Sequence, residues 1–237
     1  MFIHGLEGHP EGAKVVKLRA QGFEVCAADM HMSQWQLGKR NSIVRNVLRA
    51  RDLRLAVVGL VVGLGASVVL ARPLPLLVAA VAAVGWIGLR REQLVVEGIR
   101  RSFNACVAIQ ADALARYAPD IIVGSSWGGA VAAELRIRGV WSGPTILLAP
   151  AIRRVSMRAK RTDPSEALAQ LARVERPILV FHDPSDDVVP HADSVDLGEA
   201  PGIELRSVDA GGHRLLGLLD SGELGEAIRA CADAGQG

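Results

Sequence analysis

A pentapeptide of the pattern Gly-x-Ser-x-Gly, Gly124–Gly128, directly follows the apolar run Ile121–Val123, and a helical pattern that ends at Gly139 comes next. This order predicts a buried strand, a sharp turn and a helix, with the Ser126 side chain held out of the backbone. The two glycines leave room where a Cβ would collide with neighbouring backbone. Free N–H groups at the helix N-terminus favour developing negative charge there. Ser126 is therefore a candidate nucleophile; the alternative is a Gly/Ser turn into an ordinary helix.

Short apolar strands alternate with helical patterns along the rest of the chain. This alternation predicts an α/β fold with a mostly parallel sheet covered by helices on both faces. About six strands are expected, near 2–3, 23–28, 121–124, 145–149, 178–181 and 203–208. Asp163 and Pro164 are expected to open a short helix. Since ligands bind beyond the carboxyl ends of parallel strands, residues that follow the predicted strands are the candidates for a site.

Two polar loops follow the fifth and sixth predicted strands and supply partners for the serine. A nucleophilic serine needs a base, and the base needs an orienting acid. Asp186 stands 60 residues after Ser126, and His213 stands 27 residues after Asp186 behind a pair of glycines. This spacing leaves room for one βα unit between the acid and the base, so a site built from these three side chains is expected.

Four local patterns together resemble the α/β-hydrolase superfamily, in particular small YqiA-like bacterial esterases. They are His4-Gly5-Leu6 with Pro10 and Ala13-Lys14, Gly124–Gly129, Leu148–Ala151, and the loop from Asp186 to Val189-Pro190 with Gly212-His213. The order Ser, Asp, His along the chain is also that of the superfamily. The resemblance runs from His4 to the C-terminus, apart from one apolar insertion.

The resemblance implies an α/β-hydrolase fold and a serine hydrolase that cleaves a carboxylic ester or thioester. Ser126 would be the nucleophile, His213 the general base and then acid, and Asp186 the residue that holds His213. The backbone N–H groups of Leu6 and Trp127 would form the oxyanion hole, a device that supplies a few kcal/mol of transition-state stabilisation. No metal and no organic cofactor is implied.

The chain departs from this family in two ways. Family members often carry glycine where this chain has Asp183, so Asp183, Asp186 and Asp187 are all candidates for the acid. We favour Asp186 for its offset from Val189-Pro190. The chain also begins at the strand that carries His-Gly, so the usual first two antiparallel strands are expected to be missing.

The remaining histidines and one lysine have less specific settings. His31 and Met30, after the second predicted strand, are candidates for lining the substrate pocket. His4 is expected to brace the oxyanion loop, and Lys14 is expected to be structural. Three further histidines are expected at the surface or in loops: His9, His182 and His191.

Composition excludes several classes of protein. The net charge is +2 and aromatic residues make up 4%, which argues against a nucleic-acid partner. The three cysteines are widely spaced, which indicates free thiols in a reducing compartment. The histidines and cysteines lack zinc-site spacing, and the first residues lack the pattern of a secretory signal.

An apolar segment interrupts the pattern of strands and helices. Leu55–Ala71 has 17 uncharged residues, Arg72–Pro75 follows, and Leu76–Leu89 adds 14 more. At about 1.5 Å per residue, each arm is roughly 21–26 Å long, short of a hydrocarbon core of about 30 Å. The prolines between the arms predict a helical hairpin, inserted at 53–91 into a single domain of 1–237.

Arginines cluster at the outer ends of the hairpin, whereas only Arg72 lies at its tip. The flanking arginines are Arg45, Arg49, Arg51, Arg54, Arg90, Arg91, Arg100 and Arg101. Positive charge marks the cytoplasmic side of a membrane protein, so we expect a bacterial inner-membrane protein whose catalytic domain faces the cytoplasm. Small residues would let the arms approach closely; they are Gly59, Gly63, Ala79, Ala80, Ala83 and Gly85.

Several alternatives stay open at this point. The hairpin, Leu55–Leu89, could enter a membrane as a spanning or a re-entrant element, could be a soluble lid over a cytoplasmic enzyme, or could join copies of the chain. The domain could also be a membrane-anchored binding module without activity, or could use the same three residues for acyl transfer or lactone opening. A membrane tether is compatible with a lipophilic substrate, and the oligomeric state is open.

Overall fold

A computed structural model of the chain describes residues 1–159, 169–171 and 178–234. Two compact units make up the chain, one formed by Met1–Met32 with Phe103–Gly237 and the other by Ser33–Ser102. The first unit carries the sheet, and the second carries the apolar helices. The helix start expected at Asp163 and Pro164 lies outside the described residues.

The first unit is built on a parallel sheet, as predicted. Within the described residues the strands lie in the order β1 (Phe2–Ile3), β2 (Ile122–Ser125), β3 (Thr145–Leu148), β4 (Ile178–His182) and β5 (Ile203–Ser207). All neighbouring strands are parallel, and Val123 of β2 lies opposite Phe2 of β1 and Ile146 of β3. Strands β1 to β4 are buried on both faces, which explains their continuous apolar runs, whereas β5 is partly exposed.

One predicted strand does not form, and the sheet has five strands in the described residues where about six were expected. The segment 23–28 has no regular structure, although the N–H of Phe2 donates to the carbonyl of Cys26 at 2.8 Å. Strand β1 has only two residues, so it offers the segment little backbone with which to form a ladder.

The helices in chain order are α1 (Ala13–Ala20), α2 (Ile43–Leu48), α3 (Arg51–Leu70), α4 (Leu74–Tyr117), α5 (Trp127–Ile137), α6 (Ile152–Ala159), α7 (His191–Gly198), α8 (Gly217–Asp220) and α9 (Glu223–Ala234). On one face of the sheet, strand residues pack with α1, α8 and α9. This core contains Phe2, Val123, Ile146, Leu148, Leu179 and Phe181 from the strands and Val15, Leu18, Leu218, Leu219, Leu224 and Ile228 from the helices. Helix α5 contacts β1, β2 and β3, and α7 contacts β4 and β5. The sheet is therefore covered by helices, and both the helix-flanked sheet and the two apolar helices agree with the predicted fold class.

Helix α4 is continuous over 44 residues. From Ile99 to Tyr117, apolar residues at helical spacing in the sequence predict an amphipathic helix separate from the second apolar arm, with Gln110 as the one polar break in its apolar face. The amphipathic part is as expected, because Phe103, Cys106, Val107 and Gln110 are all buried. Gln110, the polar break in that face, donates from Nε2 to the carbonyl of Ala28 at 3.1 Å.

In the second unit, α3 and the first part of α4 contact each other near their outer ends and midway along their length. Near the outer ends, Arg90 and Asp52 form an ion pair at 3.5 Å. Midway, a Cβ added to Gly63 would lie 2.6 Å from the Cβ of Ala79. These contacts show that the two arms run antiparallel as a hairpin.

At the tip of the hairpin, α3 ends at Leu70, and the next residue, Ala71, has a positive φ of 49°. The N–H of Ala71 donates to Val68 and that of Arg72 to Ser67, the pattern of a Schellman cap. The hydroxyl of Ser67 also accepts from the N–H of Leu76 at 2.9 Å. The tip is therefore a hydrogen-bonded turn.

Candidate active site

Ser126 lies in a strained turn between β2 and α5. Its backbone has φ 55° and ψ −116°, a conformation that non-glycine residues adopt at a cost in energy. The N–H of Ser126 donates to the carbonyl of Leu148 at 2.9 Å, and its own carbonyl accepts from Ala130 at 3.2 Å and from Ala151 at 3.1 Å. These three hydrogen bonds hold the turn, which lies where the pentapeptide predicts it.

Two glycines of the pentapeptide allow this turn to pack against the neighbouring backbone. A Cβ on Gly128 would lie 2.2 Å from the carbonyl oxygen of Ile3 and 2.4 Å from that of His4. A Cβ on Gly124 would lie 2.7 Å from the carbonyl oxygen of Gly128. Because backbone atoms cannot move aside cheaply, both positions require glycine.

The structure brings Ser126, His213 and Asp186 together. His213 lies in the short 3₁₀ turn Gly212–Arg214 after β5. Its Nε2 is 3.0 Å from Ser126 Oγ, and its Nδ1 is 2.7 Å from Asp186 Oδ2. Since the carboxylate can only accept, Nδ1 carries the proton and Nε2 is free to accept from the serine hydroxyl. The distance from Ser126 Oγ to Nε2 is within the reach required for proton transfer, and the contact of Nδ1 with Asp186 orients the imidazole.

The carboxylate of Asp186 is fully buried and hydrogen-bonded. Its Oδ1 accepts from the N–H groups of Val188 at 2.8 Å and Val189 at 2.9 Å. Burial alone would raise the pKa of Asp186, but these N–H groups and His213 hold the pKa below its ordinary value. The group is therefore ionised at neutral pH. The alternative acid Asp187 is exposed, and within the described residues the carboxylate hydrogen-bonded to His213 is that of Asp186.

Asp183, the other alternative acid, has a different partner. Its Oδ2 accepts from the N–H groups of Ala210 and Gly212, both at 2.8 Å, and its Oδ1 accepts from the Ser185 hydroxyl at 2.6 Å. The Ser185 hydroxyl lowers the pKa of Asp183, burial opposes it, and the N–H groups lower the pKa further. Asp183 thus fastens the loop that leads to His213.

His182 was expected at the surface or in a loop, and this expectation is wrong. The side chain is fully buried at the end of β4. Its Nε2 lies 3.0 Å from the carbonyl of Val189 and 3.1 Å from Asp186 Oδ2, and its Nδ1 lies 2.6 Å from the Ser194 hydroxyl. Burial lowers the pKa of His182 more than the nearby Asp186 raises it. His182 is therefore neutral, with its proton on Nε2. Its place as the last residue of an apolar strand is the sequence signal that could have identified it.

The two segments that carry the expected oxyanion donors, the start of α5 and the loop after β1, lie beside Ser126. Trp127 is the first residue of α5, so its N–H has no partner within the helix. Leu6 follows Gly5, and a Cβ on Gly5 would lie 3.3 Å from the Cβ of Ser126. The loop after β1 therefore passes directly beside the serine.

His4 links that loop to the neighbouring segment. Its Nδ1 lies 3.0 Å from the carbonyl of Gly5, and its Nε2 accepts from the N–H of Met30 at 3.3 Å. The side chain of Met30 is fully buried. Nδ1 of His31 lies 3.1 Å from a carboxylate oxygen of Asp29. Neither Met30 nor His31 is among the residues that line the cavity at Ser126, so the structure does not bring this pair to the serine.

A cavity of about 360 Å³ opens beside the serine and the histidine. Its lining includes Leu6, Lys14, Ser125, Ser126, His213 and Arg214. Lys14 was expected to be structural, and its ammonium group does donate to Ser125 Oγ at 2.9 Å, but it also faces the cavity. In the part of the chain that the structure describes, no group of three His, Cys, Asp or Glu side chains could hold a metal ion.

The parallel sheet, the serine turn between β2 and α5, and the order Ser, Asp, His identify an α/β-hydrolase fold, as the sequence predicts. Neither a family model nor a curated protein matches the chain.

Solved structures with similarity include a serine hydrolase from the hydrocarbon-degrading bacterium Cycloclasticus zankles, at 16% identity and a TM-score of 0.42 over 55% of this chain and 70% of that one. The esterase domain of a Rhodothermus marinus protein matches at 18% identity and a TM-score of 0.40, over 52% of this chain and 65% of that one. An esterase from Thermogutta terrifontis matches at 18% identity and a TM-score of 0.39, over 59% and 65%. Less than two thirds of each of the last two structures is therefore covered.

Proposed function

We propose that this chain is a serine hydrolase that cleaves a carboxylic ester or thioester through an acyl-enzyme, and that its apolar hairpin holds it to a membrane. One observation carries the hydrolase proposal. It is the hydrogen-bonded series from Asp186 through His213 to Ser126, with the serine in a strained turn beside a cavity.

The three side chains would act in sequence. As Ser126 Oγ attacks the carbonyl carbon, Nε2 of His213 takes its proton, and the buried charge of Asp186 stabilises the resulting imidazolium. The tetrahedral intermediate collapses, the bond to the leaving oxygen or sulfur breaks, and His213 returns the proton to the leaving group. Water, activated by His213, then attacks the acyl-enzyme and releases the carboxylic acid and the free serine.

The backbone supports this chemistry at the substrate oxygen. The N–H groups of Leu6 and Trp127 would donate to the oxyanion that forms when the serine attacks. Donors that are already oriented need no rearrangement, and removing one such donor in related chemistry costs about 2.7–4 kcal/mol. The close approach of Gly5 to Ser126 supports the assignment of the loop that carries Leu6.

The membrane proposal has its own support. Helices α3 and α4 are long and apolar enough to cross a membrane, and only 11% and 6% of their most apolar 18-residue windows are buried. An apolar helix in the core of a soluble protein is mostly buried, in contrast to these two. The exposed side chains include Val61, Val62, Val68, Val69, Val81, Val84 and Leu89.

A fluorophosphonate probe, which reacts with activated serines, tests the hydrolase proposal. We expect the wild-type protein to be labelled, and Ser126→Ala to lose both labelling and ester hydrolysis, the latter by roughly a thousandfold or more. Ser207→Ala is the matched control, because Ser207 is exposed at the end of β5, away from the cavity lining. No labelling of folded wild type, or equal labelling of Ser126→Ala, would show that the proposal is wrong.

Cell fractionation tests the tether. We expect the full-length chain to sediment with membranes after high-speed centrifugation and to need detergent for extraction. A variant that lacks residues 55–89 should lose this behaviour. A full-length chain that stays in the supernatant without detergent would exclude the membrane and favour a soluble lid.

A further inference from the structure

Lys14 places a positive charge next to the proposed nucleophile. It is the second residue of α1, and its Nζ lies 2.9 Å from Oγ of Ser125, the last residue of β2. Ser125 directly precedes Ser126, and all three side chains line the same cavity of about 360 Å³. The ammonium group therefore borders the space that a substrate bound at Ser126 would occupy.

The charge of Lys14 has no acidic partner among the described residues, unlike its neighbours on α1. Lys17 forms an ion pair with Asp220, and Arg19 forms one with Glu11. Lys14 instead donates to a neutral hydroxyl. An ammonium group has three donors, so two of them remain for a ligand.

Arg214 brings a second positive charge to the same cavity. It follows His213 in the chain and lines the cavity. Within the described ranges, no carboxylate lies at ion-pair distance from it. Glu7 also lines the cavity, but its side chain is exposed. Burial, and then the charge of Arg214, lower the pKa of Lys14 to about 8. Two cations that share a cavity disfavour each other, and an anion between them would remove that cost.

On the basis of the proposed hydrolase function, we infer that the substrate carries an anionic group, a carboxylate or a phosphate, which Lys14 and Arg214 bind beside Ser126. The inference specifies a class of substrate, an ester or thioester with a charged acyl or leaving group. A neutral ester would leave both cations without a counterion, so it should react more slowly.

Three 4-nitrophenyl esters of similar length test this inference. Mono-4-nitrophenyl glutarate carries a carboxylate, 4-nitrophenyl 4-phosphonobutanoate carries a phosphonate, and methyl 4-nitrophenyl glutarate is neutral. We expect kcat/KM for at least one anionic ester to exceed that of the neutral ester by about tenfold to a hundredfold, the range for hydrogen bonds to charged groups. The better of the two anionic esters identifies the kind of anion.

Variants of the two cationic residues show whether they bind the anionic group or affect the reaction of every ester. Lys14→Met should reduce the ratio of kcat/KM for the anionic ester over the neutral ester at least tenfold, mainly through KM. Arg214→Gln, a change at an exposed residue, should reduce the same ratio and serves if Lys14→Met does not fold. Lys17→Met is the matched control, because Lys17 lies on the same helix and pairs with Asp220 outside the cavity lining.

The outcomes distinguish failure of the subsite from failure of the hydrolase proposal. Equal rates on neutral and anionic esters, or an equal loss on all three esters in Lys14→Met, would overturn the subsite alone. If no ester is hydrolysed, calorimetric titration of glutarate and of 4-phosphonobutanoate into Ser126→Ala decides. Binding that Lys14→Met abolishes supports the subsite, and absence of binding overturns it.

Discussion

Asp186 lies within hydrogen-bond distance of two imidazoles, those of His213 and His182. The first belongs to the predicted set of three residues. In the second, Nδ1 is held by the Ser194 hydroxyl, and the N–H on Nε2 is shared between the Val189 carbonyl and Asp186 Oδ2. An N–H from His182 fixes the carboxylate oxygen that faces His213 and withdraws part of its charge. We infer that His182 acts as a positioning residue for the acid.

Two replacements of His182 test this role, one by glutamine, which keeps a donor, and one by leucine, which does not. Nε2 of a glutamine can occupy the place of the histidine Nε2, whereas leucine has no donor there. We expect His182→Leu to lower kcat by about tenfold to a hundredfold, the effect of losing a hydrogen bond to a charged group, and His182→Gln to recover much of it. The pH profile of kcat should also move in His182→Leu, because the charge of Asp186 is less neutralised.

Asp183 supports His213 indirectly: its carboxylate accepts from the backbone N–H groups of Ala210 and Gly212 and not from the imidazole. Oδ1 of Asp183 accepts from the N–H of Ser185, and Oδ2 accepts from the N–H groups of Ala210 and Gly212. An amide replaces one of these oxygens by an NH₂ group, so either Ser185 or both Ala210 and Gly212 lose their acceptor. We expect Asp183→Asn to lower the free energy of unfolding by about 1–3 kcal/mol, measured by urea unfolding. Asp187→Asn is the control, since Asp187 is exposed. Equal stability of the two variants would contradict this account.

Asp183→Asn should also change how the free energy of unfolding depends on pH below about pH 4. The pKa of Asp183 is lowered in the folded protein, so its contribution is fully present above its ordinary value near pH 4 and is lost as pH falls. We therefore expect the loss of wild-type stability on acidification to be shallower in Asp183→Asn.

At the scale of single elements, the sequence predicts the strands, turns and helices that depend on residues close together in the chain. The serine turn follows from an apolar strand and two glycines, all within a few residues. The segment 23–28 has a strand-like composition. Whether it forms a strand depends on pairing with β1, which is distant in sequence and has only two residues. The predicted hairpin ends at residue 91, whereas α4 continues through Arg90 and Arg91, because arginine is a good helix former.

At the scale of the site, the predictable part is again the chain order. The positions of Ser126, Asp186 and His213 follow from motifs after strands, and the structure brings these side chains together. The roles of Lys14 and His182 depend on which distant groups surround them. Single residues of these types give no local signal for such partners.

The packing of α3 on α4 depends on one small residue. A Cβ on Gly63 would lie 2.6 Å from that of Ala79, whereas one on Gly59 would meet nothing within 4 Å. We expect Gly63→Val to destabilise the hairpin by about 1–3 kcal/mol, the usual cost of overpacking, and Gly59→Val to have little effect. Thermal unfolding in detergent micelles, followed by circular dichroism, measures both. A larger effect at Gly59 would contradict the interface.

At the scale of the whole molecule, the residues of the second unit interrupt the sequence of the first unit. The unit Ser33–Ser102 includes the predicted hairpin of 53–91 and also α2. Both ends of the insertion enter the first unit, at Met32 and at Phe103. We propose that the insertion is a membrane module in a single hydrolase domain. The outer ends of its antiparallel arms then lie on one side of the membrane, and the tip at Arg72 lies at the other end.

Labelling of single cysteines tests whether the hairpin spans the membrane or re-enters. Helix α3 has 20 residues, and its uncharged part, from Leu55 to Leu70, is about 24 Å long at about 1.5 Å per residue, shorter than a hydrocarbon core of about 30 Å. Arg72 is exposed, and its long side chain can reach the polar surface on the far side. We therefore expect a spanning hairpin with Arg72 outside.

The experiment uses a chain in which the three native cysteines are changed to alanine: Cys26, Cys106 and Cys231. In intact spheroplasts, a membrane-impermeant maleimide should react with Arg72→Cys and should reach Glu24→Cys, on the exposed surface of the first unit, only after lysis. Labelling of both variants only after lysis would indicate a re-entrant hairpin. Labelling of Glu24→Cys in intact spheroplasts would contradict the predicted orientation. The arginines at the outer ends would then lie outside, on the side that positively charged loops avoid.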